Sequence, residues 1–362
     1  MEFTPFQSAH NSGCLEGIPF AHQTAPDDDT MLPDSRNTMT DLFPPLHSHP
    51  LLRGGHIQTL AAYYFGGANL PYRAVQHRVP LGDGDTLVLH DDCPRNWTPG
   101  EPVALLLHGL AGCHRSAYMV RIAAKLNNVG VRAFRLDHRG CGAGSQLAAQ
   151  PYNAGRSDDA RVALEELMHI APHSPITLIG FSLSGNIVLK LLGEHPHDVP
   201  ASVVRAIVVN PAIDLSRCVA EMNRGWNRIY DRRFVKELHA EVRSGKRHLP
   251  QNYAAPKTLW EFDDTYTAPA SGFGSAENYY ARCSANQFVG AIRVPTVVLT
   301  AADDPMVPLS TLEELDLPPN VRLHVASSGG HLGYIARKGT DADRRWLDWR
   351  VVDWVRAESI LK

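Results

Sequence analysis

Ser182 lies in Ile176-Thr-Leu-Ile-Gly-Phe-Ser-Leu-Ser-Gly-Asn186, where its residue type and the size of its neighbours together suggest chemistry. A β-branched and aliphatic run ends at Gly180, small residues follow Ser182, and the stretch from Asn186 to Leu192 reads as a helix. A serine at the tip of a sharp strand-to-helix turn presents its Oγ to a substrate, an arrangement called a nucleophile elbow. Such a turn brings together the residues two positions before and after the serine, so both must be small. Gly180 meets that demand on one side. On the other side Ser184 stands ahead of Gly185, a departure from G-x-S-x-G that should still let the turn close. A short small-residue turn is also an ordinary packing device, so the reading depends on the rest of the chain.

A serine nucleophile needs a base, and the base needs an acid that fixes its tautomer. Pro295-Thr-Val-Val-Leu-Thr-Ala301 reads as a buried strand ending in Asp303-Asp304-Pro305-Met-Val-Pro308. Val321-Arg-Leu-His-Val-Ala326 reads as another, leading into Ser327-Ser-Gly-Gly-His331. The two glycines let that loop bring an imidazole to the serine. Adjacent residues in an extended segment point in opposite directions, so one of the two aspartates reaches His331. Asp304 is the expected one: it fits a D-x-x-V-P pattern ending at Pro308, and Pro305 holds it extended. Asp303 is expected to pair nearby backbone.

The developing oxyanion needs fixed donors. Leu105-Leu-Leu-His108-Gly-Leu-Ala-Gly112 is an apolar strand running into a glycine-rich turn, about 70 residues before the elbow. The backbone N–H groups of Leu110 and Leu183 are the expected pair, each worth about 3 kcal/mol at a transition state. The expected chemistry is ester hydrolysis: Ser182 attacks the carbonyl, His331 moves the proton, Asp304 orients His331, and water resolves the acyl-enzyme. It calls for no metal and no organic cofactor. Passing the acyl group to an alcohol or thiol would use the same residues. A ligand-binding protein would not need the Ser, Asp and His set.

Elements that would position these residues alternate along the chain. Strands are expected at Arg73–Val79 and Thr86–His90, joined by a Gly82-Asp-Gly-Asp turn, then at Val103–Leu107, Val131–Leu136, Ile176–Ile179, Val203–Val209, Pro295–Ala301 and Val321–Val325. Helices are expected at Ser116–Val129, at Arg156–Ile170 with Ser157 as its cap, and at Arg344–Leu361. Alternation of this kind gives an α/β fold with a mainly parallel twisted sheet covered on both faces. Residues 212–290 interrupt it, and their aromatics, Trp226, Phe262, Tyr266, Tyr279 and Tyr280 among them, suit a helical lid whose side chains line an acyl pocket.

Seven ordered motifs carry a resemblance over Leu51 to Trp354. They are Gly55-His-Ile-Gln-Thr-Leu60, His108-Gly-Leu-Ala-Gly112, Asp137-His-Arg-Gly-Cys-Gly142, Tyr152-Asn-Ala-Gly-Arg-Ser-Asp158, the elbow, the Phe262-to-Tyr280 region, and Ala302-Asp-Asp-Pro305 with Gly329-Gly-His-Leu-Gly333. The chain resembles the YheT-like branch of the α/β-hydrolases, which includes the eukaryotic ABHD1/2/3-type proteins. The resemblance implies a serine hydrolase acting on carboxylic esters. That branch has glycine where this chain has Ser184. Its eukaryotic members carry an N-terminal membrane anchor, and no such segment is evident here.

Composition sets bounds. The chain has 362 residues, enough for one large α/β domain with an insertion, and a net charge of −3, which offers no basic footprint for nucleic acid. Six cysteines without C-x-x-C spacing suit a reducing, cytoplasmic setting with free thiols. No apolar run is long enough to span a bilayer, and no signal peptide is evident. The expected partner is a small-molecule ester, with short to medium acyl chains favoured. Residues 1–45, interrupted by prolines, read as a disordered tail ahead of a hydrolase domain at 46–362. His56 and Gln58 suit structural hydrogen bonding, Asp137-His-Arg-Gly an ion-paired loop, and His90-Asp-Asp-Cys93 a solvated turn rather than a metal site.

Overall fold

The computed structural model describes residues 42–67, 70–246, 255–339 and 341–361. Eight strands are present: β1 (Val75–Pro80), β2 (Thr86–Asp92), β3 (Val103–Leu107), β4 (Arg132–Asp137), β5 (Ile176–Phe181), β6 (Val203–Val209), β7 (Thr296–Ala301) and β8 (Val321–Ala326). They form one sheet in the order β1-β2-β4-β3-β5-β6-β7-β8. The pairs β1·β2 and β2·β4 are antiparallel; the others are parallel. Every residue of β3, β5 and β7 is buried, as continuous apolar runs in a doubly covered sheet must be.

The two-residue period of a strand splits this apolar content between two cores. Leu105, Leu107 and Leu178 join Leu164 and Ile187 on one face. Leu106, Ile179 and Phe181 join Ile122, Trp346 and Trp354 on the other. The covering helices are α1 (Gly55–Tyr64), α2 (Ala117–Asn128), α3 (Ser157–Ile170) and α4 (Leu183–Glu194), with Trp346–Arg356 near the C-terminus. The last is shorter than the expected Arg344–Leu361. Ser157 begins α3 rather than capping it: its hydroxyl donates to Glu194 Oε2 (3.1 Å) and accepts from Lys190 Nζ (3.2 Å), so it bridges to α4 instead.

From β3 the chain moves outward to β4 and then returns to lay β5 on the other side of β3. That reversal opens a crevice beyond the carboxyl ends of β3 and β5, where open α/β sheets bind ligands. Between β6 and β7 lies a helical insertion with α5 (Leu215–Met222), α6 (Arg228–Ser244), a π-helical turn at Asp263–Thr267 and a helix at Ala276–Cys283. Its apolar residues, with Leu110 and Leu183, form a third cluster above the crevice. Most of the expected tail, residues 1–41, lies outside the described residues. Leu42 and Phe43 pack on the core, and the Trp354 indole donates to the Leu42 carbonyl (2.7 Å). No helix among the described residues is long and apolar enough to cross a membrane.

Candidate active site

Ser182 joins β5 to α4 with φ 53° and ψ −119°, a left-handed φ that costs a non-glycine residue about 1–3 kcal/mol. Its N–H donates to the Val209 carbonyl (2.8 Å) and its carbonyl accepts from Gly185 N–H (2.9 Å), which hold the turn in place. A Cβ on Gly180 would lie 2.4 Å from the Ser184 carbonyl oxygen, and one on Gly185 would lie 2.7 Å from Pro211 Cβ. The demand for a missing side chain therefore falls on Gly180 and Gly185. Ser184 has room, and its hydroxyl is used: it donates to the His108 carbonyl and accepts from His138 Nε2 (2.8 Å). With that proton on Nε2, His138 Nδ1 is bare and has no partner. Burial holds His138 well below the ordinary histidine range, so it stays neutral.

The structure brings Ser182, His331 and Asp304 into one hydrogen-bonded chain. His331 Nε2 lies 2.8 Å from Ser182 Oγ, and His331 Nδ1 lies 2.8 Å from Asp304 Oδ2. The Asp304 side chain is buried and accepts three more bonds, from Asn210 Nδ2 (2.6 Å), Met306 N–H (2.8 Å) and Val307 N–H (3.1 Å). An acceptor so occupied assigns the shared proton to His331 Nδ1 and turns the Nε2 lone pair to the serine. Asp303 points elsewhere and accepts from Gly330 N–H (2.8 Å).

Two residues the sequence did not single out complete this frame. Asn210, at φ 46° just past β6, also accepts from the Tyr334 hydroxyl (2.9 Å), so it ties the acid to the histidine loop. Thr59 Oγ1 accepts from His331 N–H (2.8 Å) and donates to the Gly55 carbonyl (2.7 Å). Gln58 is fully buried and bonds Ile335 both ways, accepting from its N–H (2.7 Å) and donating to its carbonyl (3.2 Å). His56 pairs with the Tyr230 hydroxyl (3.0 Å), linking α1 to α6.

After β3, Gly109 passes so close to the elbow that its Cβ would lie 3.0 Å from Ser182 Cβ. Gly109 N–H donates to the Tyr118 hydroxyl (3.0 Å) and Ala111 N–H to the Tyr152 hydroxyl (2.7 Å). Leu110 N–H, between them, has no acceptor among the described residues. Leu183 is the first residue of α4, where an N–H lacks an intrahelical partner. Both leucines line a pocket of about 810 Å³, counting its open mouth, shared with Ser182, His331, Met222, Phe262 and Tyr266. A second pocket meets the first at Ser182 and His331, and Thr59, Ser116, Arg121 and Arg233 give it more polar walls. Of the expected pocket aromatics, Phe262, Tyr266, Tyr279 and Tyr280 line the first pocket, whereas Trp226 is 82 % exposed.

Residues 102–337 match the sequence profile of the family described as alpha/beta hydrolase fold. The chain belongs to the α/β-hydrolase family. Within it, the hydrolase is 30 % identical over 312 residues to YheT of Escherichia coli (strain K12), named as an esterase, with 83 % of this chain and 89 % of that one covered. This places it in the YheT-like branch, among hydrolases of the esterase and lipase kind. It is 27 % identical to a monoacylglycerol lipase of Saccharomyces cerevisiae over 71 % of this chain and 59 % of the lipase. The esterase Pf2001 of Pyrococcus furiosus shares the fold, with a TM-score of 0.51 at 15 % identity over 86 % of this chain and 97 % of that one.

Among the hydrolase's described residues, His90, His114 and Asp137 bring ligand atoms within 4.8 Å of one another. The expected solvated turn at His90 is therefore wrong: His90 and Asp91 belong to β2 and are buried, and Cys93 alone of the cysteines in the described part is exposed. Both imidazoles bond Asp137 Oδ2, His90 through Nε2 (3.0 Å) and His114 through Nδ1 (2.7 Å). Their rings stack at 3.6 Å and 12°. Both ring nitrogens are occupied by the same carboxylate oxygen, so the cluster is held together by hydrogen bonds. The following Arg139 is ion-paired with Asp83, Asp85 and Asp159.

Proposed function

We infer that this hydrolase cleaves carboxylic esters through an acyl-enzyme on Ser182. The observation that carries the reading is the chain from Ser182 Oγ through His331 to Asp304, with both histidine contacts at 2.8 Å. As Oγ attacks, its proton passes to His331 Nε2, and Asp304 stabilises the imidazolium. The tetrahedral oxyanion is held by Leu110 and Leu183 N–H. Collapse expels the alcohol, which takes the proton from His331, and water repeats the sequence to release the acid. The apolar pocket seats the acyl chain and the more polar one seats the alcohol, with the helical insertion acting as a lid. The apolar pocket, closed in by Met222, Phe262 and Tyr266, suits short to medium chains. The polar pocket also suits an alcohol acceptor, so acyl transfer is the second reading.

A fluorophosphonate probe is expected to label Ser182 and no other serine. Ser182→Ala should lower kcat by at least about 10⁴-fold, and Asp304→Asn by a similar factor with the fold intact, while Asp303→Asn changes it little. Labelling at Ser184 instead would refute the reading. C4–C8 p-nitrophenyl esters should outpace long-chain phospholipid. Added alcohol shows, by its share of the product, whether transfer competes with hydrolysis.

A further inference from the structure

The apolar pocket beside Ser182 contains a carboxyl group that the ester chemistry does not use. Asp263 lines it and is 8 % exposed. It opens the π-helical turn Asp263–Thr267, an irregularity found frequently at functional sites. Other polar groups in that wall are committed to the fold: the Tyr279 hydroxyl accepts from Ala154 N–H (2.9 Å), Asn153 Nδ2 donates to Ser271 Oγ (3.0 Å), and Asn153 Oδ1 accepts from Gly155 N–H (2.9 Å). Asp263 accepts from the Tyr280 hydroxyl (2.8 Å) and bonds the Thr267 side chain. A carboxylate offers about four lone-pair sites, so acceptor capacity remains.

A pocket meant only for hydrocarbon gains nothing from a buried carboxyl, whose removal from water is costly. We propose that Asp263 is a specificity residue that receives a hydroxyl group carried on the acyl chain, so that hydroxyacyl esters are preferred over plain acyl esters. This rests on the esterase reading above. Burial raises the Asp263 carboxyl to about 6, and the charge acting on it most is another acid, Asp231. A hydroxyl both donates and accepts, so it pairs with the carboxylate and with the protonated acid alike. An ammonium pairs with the carboxylate only and loses more hydration on entering an apolar pocket.

The test uses p-nitrophenyl octanoate, its monohydroxylated positional isomers and an amino-substituted isomer. At least one hydroxyoctanoyl ester should show kcat/KM about 10- to 100-fold above octanoyl, the factor of one hydrogen bond to a charged group. Asp263→Leu should reverse the order, and Asp263→Asn, which keeps the shape, should shrink it. The proposal falls if octanoate matches every hydroxylated isomer, if the amino ester is preferred to all of them, or if both variants keep the native preference. If no ester is turned over, the esterase reading fails, and binding to Ser182→Ala decides the proposal alone. A hydroxyoctanoate methyl ester that raises Tm more than methyl octanoate supports it, and equal shifts overturn it.

Discussion

Ser184 shows how one residue changes an elbow without blocking it. Its hydroxyl bridges the His108 carbonyl, just before the Gly109–Gly112 turn, to the buried His138. Glycine there would leave a buried imidazole N–H without an acceptor. Ser184→Gly should therefore cost about 1–3 kcal/mol of unfolding free energy in urea while kcat stays within a few-fold. Unchanged stability would mean that the bridge carries no weight. At this scale the meeting of Ser182, His331 and one of two adjacent aspartates was legible, because each follows a strand and lies near glycine or proline. Asn210 and Thr59 were not. Each is a single polar residue whose partners lie 94 and 272 positions away, a separation no local pattern reveals.

The central strands β3, β5 and β7 were legible because continuous apolar runs of five or six residues between turn signals mark a doubly covered sheet. Helix α1 was not, and its burial explains why. Its buried residues are Gly55, Gln58, Thr59 and Ala61, while Ile57, Tyr63 and Tyr64 are exposed. Periodicity of apolar residues marks the wrong face. The polar face is buried because it hydrogen-bonds the loop that carries His331. Gln58→Ala should strand the Ile335 N–H and loosen that loop, lowering kcat about 10-fold or more with KM little changed, since Gln58 is fully buried and lines neither pocket. An equal rise in KM, or no kinetic effect, would limit Gln58 to structural support. The insertion at 212–290 was legible as helical, but its π-helical turn was not, since the sequence gives no sign of where one residue is added to a helical turn.

For the whole molecule, buried titrating groups set how stability responds to acid. Burial lowers His90, His108 and His138 below the ordinary histidine range. The unfolded chain binds those protons first, so their contribution is full above about pH 6.5 and is lost as pH falls below it. Asp263 acts in the opposite sense. Its carboxyl is raised to about 6, so the folded state takes up a proton between about pH 6 and 4 that the unfolded state leaves in water. Going from pH 7 to pH 5, the native protein should retain about 1 kcal/mol that Asp263→Asn loses, seen as a steeper fall in urea midpoint for the variant. Parallel curves would show that the acid is not held protonated. The contact of Thr59 with His331 across 272 positions also has a meaning for the chain as it is made. Ser182 and the Gly109–Gly112 turn leave the ribosome long before His331 does. A chain of that length carries the proposed nucleophile, Ser182, without the proposed base, His331. On the proposed mechanism, reactivity arrives only once β8 is in place and α1 closes on the loop behind it.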